Sequence, residues 1–131
     1  MLNIDKFRKL GPAIVRWSMS LVFLYFGFSQ ITNPESFIFW LPEWTANLFL
    51  SQTTFVYING IFEIFFGTLL LLGLFTRISG LLLGLHLAAI TISIGFTQIG
   101  VRDFGLTMAT FAVFLNGEDD YCLSRKIKRF K

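Results

Sequence analysis

The chain has 131 residues, 54% of them hydrophobic and 18% aromatic, with 17 Phe and 3 Trp. Charged residues make up 15%, far below the usual quarter of a soluble domain, and a chain this short cannot hide so much apolar surface. The composition excludes a soluble globular protein, and the net charge of +3 is no signal for nucleic acid, because the basic residues lie outside the apolar runs. One Cys and one His leave no disulfide, no CxxC motif and no metal cluster to expect.

Taken in order, the chain opens with the basic stretch Lys6, Arg8 and Lys9, followed by an apolar run over 12–31. That run is too long for a signal peptide, and no small-residue cleavage site follows, so it reads as a first membrane span that is retained. Further runs over 54–75, 78–97 and 100–116 have spanning length at 1.5 Å per residue. Pro12 suits a helix's first turn, and Asn116–Gly117 suits a left-handed cap at the end of the last span. The expected fold is an all-α integral membrane protein: one domain over 1–131, a four-transmembrane-helix bundle with an outer interfacial loop or short helix.

Orientation follows from charge. Arg77, the basic start and the basic tail over 118–131 (Arg125, Lys126, Lys128, Arg129 and Lys131) mark the cytoplasmic side. The loop over 32–53 carries Glu35 and Glu43 but no Lys or Arg, which fits the outer side. Pro42, Trp40 and Trp44 make it a short helix or flap over the bundle, or alternatively an anchor in the headgroups. The chain therefore reads as a multi-pass protein of a cytoplasmic (inner) membrane with both termini inside.

Polar residues within the spans carry the functional signal. Span one places Arg16, Ser20, Phe23, Gly27 and Gln30 on one stripe, with Arg16 expected to snorkel or pair at the cytoplasmic interface. In span two, Glu63 is the one charge before Arg77, and Gly60 and Gly67 share its stripe, so the carboxylate points into protein. Span three has two small-residue faces. Gly80 and Gly84 lie on one, His86 on the other, which suggests contacts on both sides and an expected homo- or hetero-oligomer.

Span four opens with Arg102–Asp103, where an acid in the first turn would complement the helix dipole. Counting from Arg77 and Gly117 puts Glu63 and Asp103 both about 21 Å above the inner boundary, with His86 nearer the midplane. Gln30, Glu63, Arg102 and Asp103 thus form a candidate cluster. It is either an ion-pair latch, with Arg102 neutralising Glu63 or Asp103, or a polar pocket that binds a quinone-like carbonyl, with His86 as a candidate proton relay.

Arg16 with Gly27 and Gln30, the segment GIFEIFFGTLLLLGLFTR, and VRDFGLTMATFAVFLNG with its polar tail together resemble the DoxX family of small four-span membrane proteins. The likeness runs from about Arg16 to Ser124. It implies a bacterial or archaeal inner-membrane protein, in a family where some relatives are subunits of quinone-linked oxidoreductases, including thiosulfate:quinone oxidoreductase and a terminal quinol oxidase complex. The family's acid opening span four would be Asp103, whereas in span one Gln30 stands where the family often carries a basic residue. The reading is an accessory subunit of a quinone-linked complex, with membrane lipid and other membrane or redox subunits as partners, no nucleic acid, and no intrinsic cofactor beyond a candidate quinone. The alternatives are a structural assembly protein and a small lipophile-binding or transport protein.

Overall fold

The computed structural model describes residues 4–129, and every regular element among them is helical. A single 3-10 turn, Ile4–Phe7, leads into α1 (Leu10–Thr32). Then come α2 (Glu35–Ile38), a 3-10 turn at Glu43–Asn47, α3 (Gln52–Leu72), α4 (Thr76–Ile94), α5 (Gln98–Asn116) and α6 (Leu123–Arg129). Helices α1, α3 and α4 are long and apolar enough to cross a membrane. Helix α5 matches α4 in length, at 19 residues, but Gln98, Arg102, Asp103 and Asn116 make it more polar. Lys131 of the basic tail lies outside the described residues.

The four long helices pack as a ring, α1 on α3, α3 on α4, α4 on α5 and α5 back on α1. Neighbours run antiparallel because the turns between α3, α4 and α5 are short. Ser51 starts α3 by accepting a hydrogen bond from the Thr54 N–H at 3.1 Å, the usual role of an N-cap serine. Gly73 ends it in the left-handed region (φ 77), with the Leu74 N–H reaching Leu69 O at 2.9 Å. Glycine is required there twice over, since a Cβ would stand 2.6 Å from Cys122 Cα. At the end of α5, Gly117 has φ 69 with ψ −146, so the expected left-handed cap is replaced by a different positive-φ turn. Arg77 lies across it, with Nε 2.5 Å from where a Cβ would be.

The apolar core of Met19, Phe23, Leu70, Leu83, Leu87 and Val113 draws on all four long helices and fills the half nearer the chain ends. Beneath it lies Arg16, only 1% exposed. Arg16 does not snorkel. Its Nε donates to Asp119 Oδ2 at 2.7 Å, and NH1 donates to Leu70 O and Leu71 O, each at 2.8 Å. The guanidinium thereby meets the open Leu71 carbonyl, adds a second donor to Leu70 O beside the Gly73 N–H, and ties the tail to α1.

Burial alone would raise the pKa of Asp119. The Arg16 hydrogen bond, the Tyr121 N–H, the Arg16 charge and Cys122 together outweigh it and hold the carboxyl below its ordinary value. A depressed carboxylate stabilises the fold above the unfolded-state value and stops doing so as pH falls through the folded-state one. In detergent, the thermal midpoint should therefore hold from neutral pH to about 4 and fall below it. Asp119→Asn should lower the neutral midpoint and flatten that acid limb. Arg16→Ala, which strands a buried carboxylate, should cost about 3–5 kcal/mol in denaturant unfolding.

Candidate functional site

In the half of the bundle nearer the α1–α3 loop, the packing is built around glycines and a carboxylate. Gly27 and Gly60 let α1 and α3 approach closely: a Cβ on Gly60 would stand 3.0 Å from Gly27 O, and one on Gly27 would stand 2.7 Å from Ile64 Cγ1. That approach brings the Gln30 side chain to Glu63, and Gln30 Nε2 donates to Glu63 Oε2 at 3.0 Å. Glu63 Oε1 meets His86 Nε2 at 3.1 Å. One buried carboxylate, 4% exposed, thus joins α1, α3 and α4. Gly67, on the same stripe, rests on Phe23 and Leu24 at ordinary contact distances.

The Glu63–His86 contact corrects the depth estimated from the sequence. Counting back from Arg77 treats Gly73–Phe75 as helix, but α3 ends at Leu72. From that end Glu63 lies nine residues in, and His86 lies ten residues from the start of α4 at Thr76. At about 1.5 Å per residue the two stand at nearly one level, close to mid-helix. Both small faces of α4 make contacts inside the bundle, although Ala89 and Ser93 of the His86 face are exposed. Gly80 packs on Phe114 and Gly84 on Phe111 of α5, while His86 faces α3 and also stacks at 4.9 Å, tilted, on Phe62.

Arg102 pairs with Asp103, one of its two expected partners, but the pair does not join two helices. Helix α5 begins at Gln98, capped by Thr97, so Asp103 is in the second turn and gains nothing from a first-turn dipole position. It is 6% exposed. Arg102 Nε and NH2 both lie 3.3 Å from Asp103 Oδ1, and Arg102 makes no hydrogen bond to Glu63 among the described residues. A pair of sequence neighbours cannot set the register between helices. The linkage that does so is Gln30–Glu63–His86.

All four cluster residues, Gln30, Glu63, Arg102 and Asp103, line one cavity of ≈ 330 Å³, with apolar walls from Phe23, Phe26, Leu87, Ile90 and Leu106. A second cavity of ≈ 260 Å³ opens between α3 and α4, with His86, Asn59, Phe55 and Ser93 in its lining. The two share Gln30, Phe37, Trp40, Glu63 and Ile90, so Glu63 lies at their common boundary. Phe37 and Trp40 belong to the loop, which forms the roof. The loop is moored to α3 by the Gln52 Nε2 bond to Thr45 Oγ1 at 3.2 Å and by Trp44 edge-on to Phe55 at 6.1 Å.

Reasoning from the sequence passed over Asn59, although an Asn four residues before Glu63 in an apolar run shares its helical face. It also passed over Asp119, for which the sequence gives no local signal. No group of three or more His, Cys, Asp or Glu side chains is assembled for a metal ion among the described residues. Chemically the site can bind a small apolar molecule by its walls and meet a polar head with two carboxyl groups, an amide and a guanidinium.

A double-mutant cycle tests the Glu63 linkage. Glu63→Ala and His86→Ala should couple by about 0.5–3 kcal/mol in unfolding measurements, as should Glu63→Ala with Gln30→Ala. Additive effects would show that the carboxylate does not bind these helices together.

Comparison with known proteins adds one finding. No curated protein and no solved structure matches the chain. A family model described as DoxX matches residues 11–96. The matched stretch holds Arg16, Gln30, Glu63 and His86, and it stops before α5, leaving Arg102, Asp103 and Asp119 outside. With well over half of its length matched, from α1 through the carboxylate linkage to the end of α4, this chain belongs to the DoxX family.

Proposed function

We propose that the chain is a four-span membrane protein whose pocket binds a quinone-type lipophile, and that it serves as an accessory subunit of a quinone-linked oxidoreductase complex. The observation that carries this reading is the ≈ 330 Å³ cavity, apolar along its walls and polar at Gln30, Glu63, Arg102 and Asp103. Its size is at the lower end of the range for small-molecule sites, and a few convergent polar groups in an apolar cleft are what such sites share. A quinone fits the chemistry of the lining. Gln30 and Arg102 can donate to carbonyl oxygens, and the aromatic and aliphatic walls suit its ring and tail. Any other redox cofactor would belong to a partner subunit.

Counting α5 as the fourth span rests on its length of 19 residues, about 28 Å of rise, and on its antiparallel packing along α4. Lys6, Arg8, Lys9, Arg77 and the basic residues of α6 gather at one end of the bundle, while the loop at the other end carries only Glu35 and Glu43 as charges. That asymmetry supports an inner membrane location with both termini cytoplasmic and the loop outside. Phe49, 97% exposed in the loop, can be replaced by Cys against a buried native Cys122. An impermeant thiol reagent should then label Phe49→Cys in intact cells, and a thiol placed at Lys126 only after lysis.

A second reading has its own support. Gln30 and His86 already occupy both oxygens of Glu63, which is also what a structural linkage between helices requires. On that reading the protein organises an assembly without binding a lipophile. The two separate cleanly. A decyl-quinone analogue should quench Trp40 and Trp44 fluorescence in nanodiscs, and Glu63→Gln should weaken that binding about tenfold while co-purifying partners stay attached. Retained assembly with no quinone binding to the wild-type protein would leave the structural reading.

A further inference from the structure

Resting on the cavity as a lipophile site, we infer that its occupant carries a hydrogen-bond-donating hydroxyl head on an apolar body, and that a lipophilic anion is refused. The reasoning is a count of what each wall offers. Helix α1 contributes neutral Gln30, α3 contributes Glu63, α5 contributes Arg102 and Asp103, and the roof contributes Phe37 and Trp40 without charge. From α4, His86 reaches the space through Glu63. Two carboxylates face one guanidinium.

The groups are not equally placed. The Arg102 side chain is 58% exposed, so its remaining N–H groups can be met outside the cavity. The carboxylates cannot turn outward. Asp103 Oδ1 accepts from Arg102, but Oδ2 receives no hydrogen bond from any described residue. Glu63 has one partner on each oxygen and capacity for more. Asp103 Oδ2 is therefore open to a donor from the cavity, and between apolar walls such a hydrogen bond is worth more than in water. A hydroxyl supplies the donor without charge. A head that only accepts cannot, and an anion adds like charge beside Asp103 and Glu63. An ammonium head would bring a full charge in between apolar walls, at a desolvation cost that a neutral hydroxyl does not carry. For a quinone-type ligand, the same count favours the dihydroxy form over the dione.

The test uses matched probes on the full chain in nanodiscs, corrected for partitioning into empty discs at neutral pH: para-decylphenol, its methyl ether and para-decylbenzoate. Trp40 lines both cavities, so its fluorescence reports occupancy. The phenol should bind at least about tenfold more tightly than the ether, and the benzoate more weakly than both. Asp103→Asn, which replaces the unmet acceptor with a group that can donate, should shrink the preference for phenol over ether several-fold. Equal binding of phenol and ether, tightest binding of the benzoate, or an unchanged preference in a folded Asp103→Asn variant would overturn the inference. Each of these leaves the quinone-type reading standing if the decyl-quinone analogue still binds. Failure of every probe and of that analogue removes both.

Discussion

A carboxylate in an apolar medium must find its hydrogen bonds inside the protein, and Glu63 finds them on two other helices. Gln30 from α1 and His86 from α4 meet it from either side at 3.0 and 3.1 Å. Lipid offers no competing partners, so displacing any of the three helices leaves a buried charge or donor unsatisfied. The linkage depends in turn on Gly27 and Gly60, whose missing side chains set the distance between α1 and α3. Backbone approach and polar satisfaction are one constraint here, and the cavities on either side of Glu63 are the space that geometry leaves.

The opposite half of the bundle answers the same constraint with a different group. Arg16 meets the last carbonyls of α3, at Leu70 and Leu71, and it meets Asp119 from beyond α5. Between the two polar levels lies the apolar core, from Met19 and Phe23 to Val113. The order is polar, apolar, polar along the bundle. Lipid-like packing alone fixes helix register weakly, because one aliphatic contact is much like another. Two hydrogen-bonded levels, one above the core and one below, supply the directional contacts that remove this freedom. They also confine the cavities to the half that carries the loop, where Phe37 and Trp40 close over them.

Much of this could be read before any coordinates. Long apolar runs mark the helices, and the helical period puts Gly60, Glu63 and Gly67 on one stripe, which the structure finds buried. Grouping Gln30, Glu63, Arg102 and Asp103 required only counting along helices, and all four line one cavity. The counting failed where the backbone leaves the helix. Gly73–Phe75 advances the chain by much less than three helical residues of rise, so Glu63 was placed too high and His86 seemed to lie beneath it. Helix α5 starts at Gln98, two residues before the run over 100–116, because Thr97 caps it there. That shift moves Asp103 out of the first turn and into the cavity wall.

The sequence alone determined what depends on neighbours along the chain: helix existence, the inward-facing stripes, and the need for a partner at each intramembrane charge. Only the tertiary structure decided who the partners are. The ring order of the helices joins His86 to Glu63 across 23 positions and Arg16 to Asp119 across 103, and leaves Arg102 with its own neighbour. Pairing is settled by which helix faces meet, and that is fixed by turns, glycine contacts and the closure of the whole ring. Those are properties of the packed chain, and no local pattern encodes them.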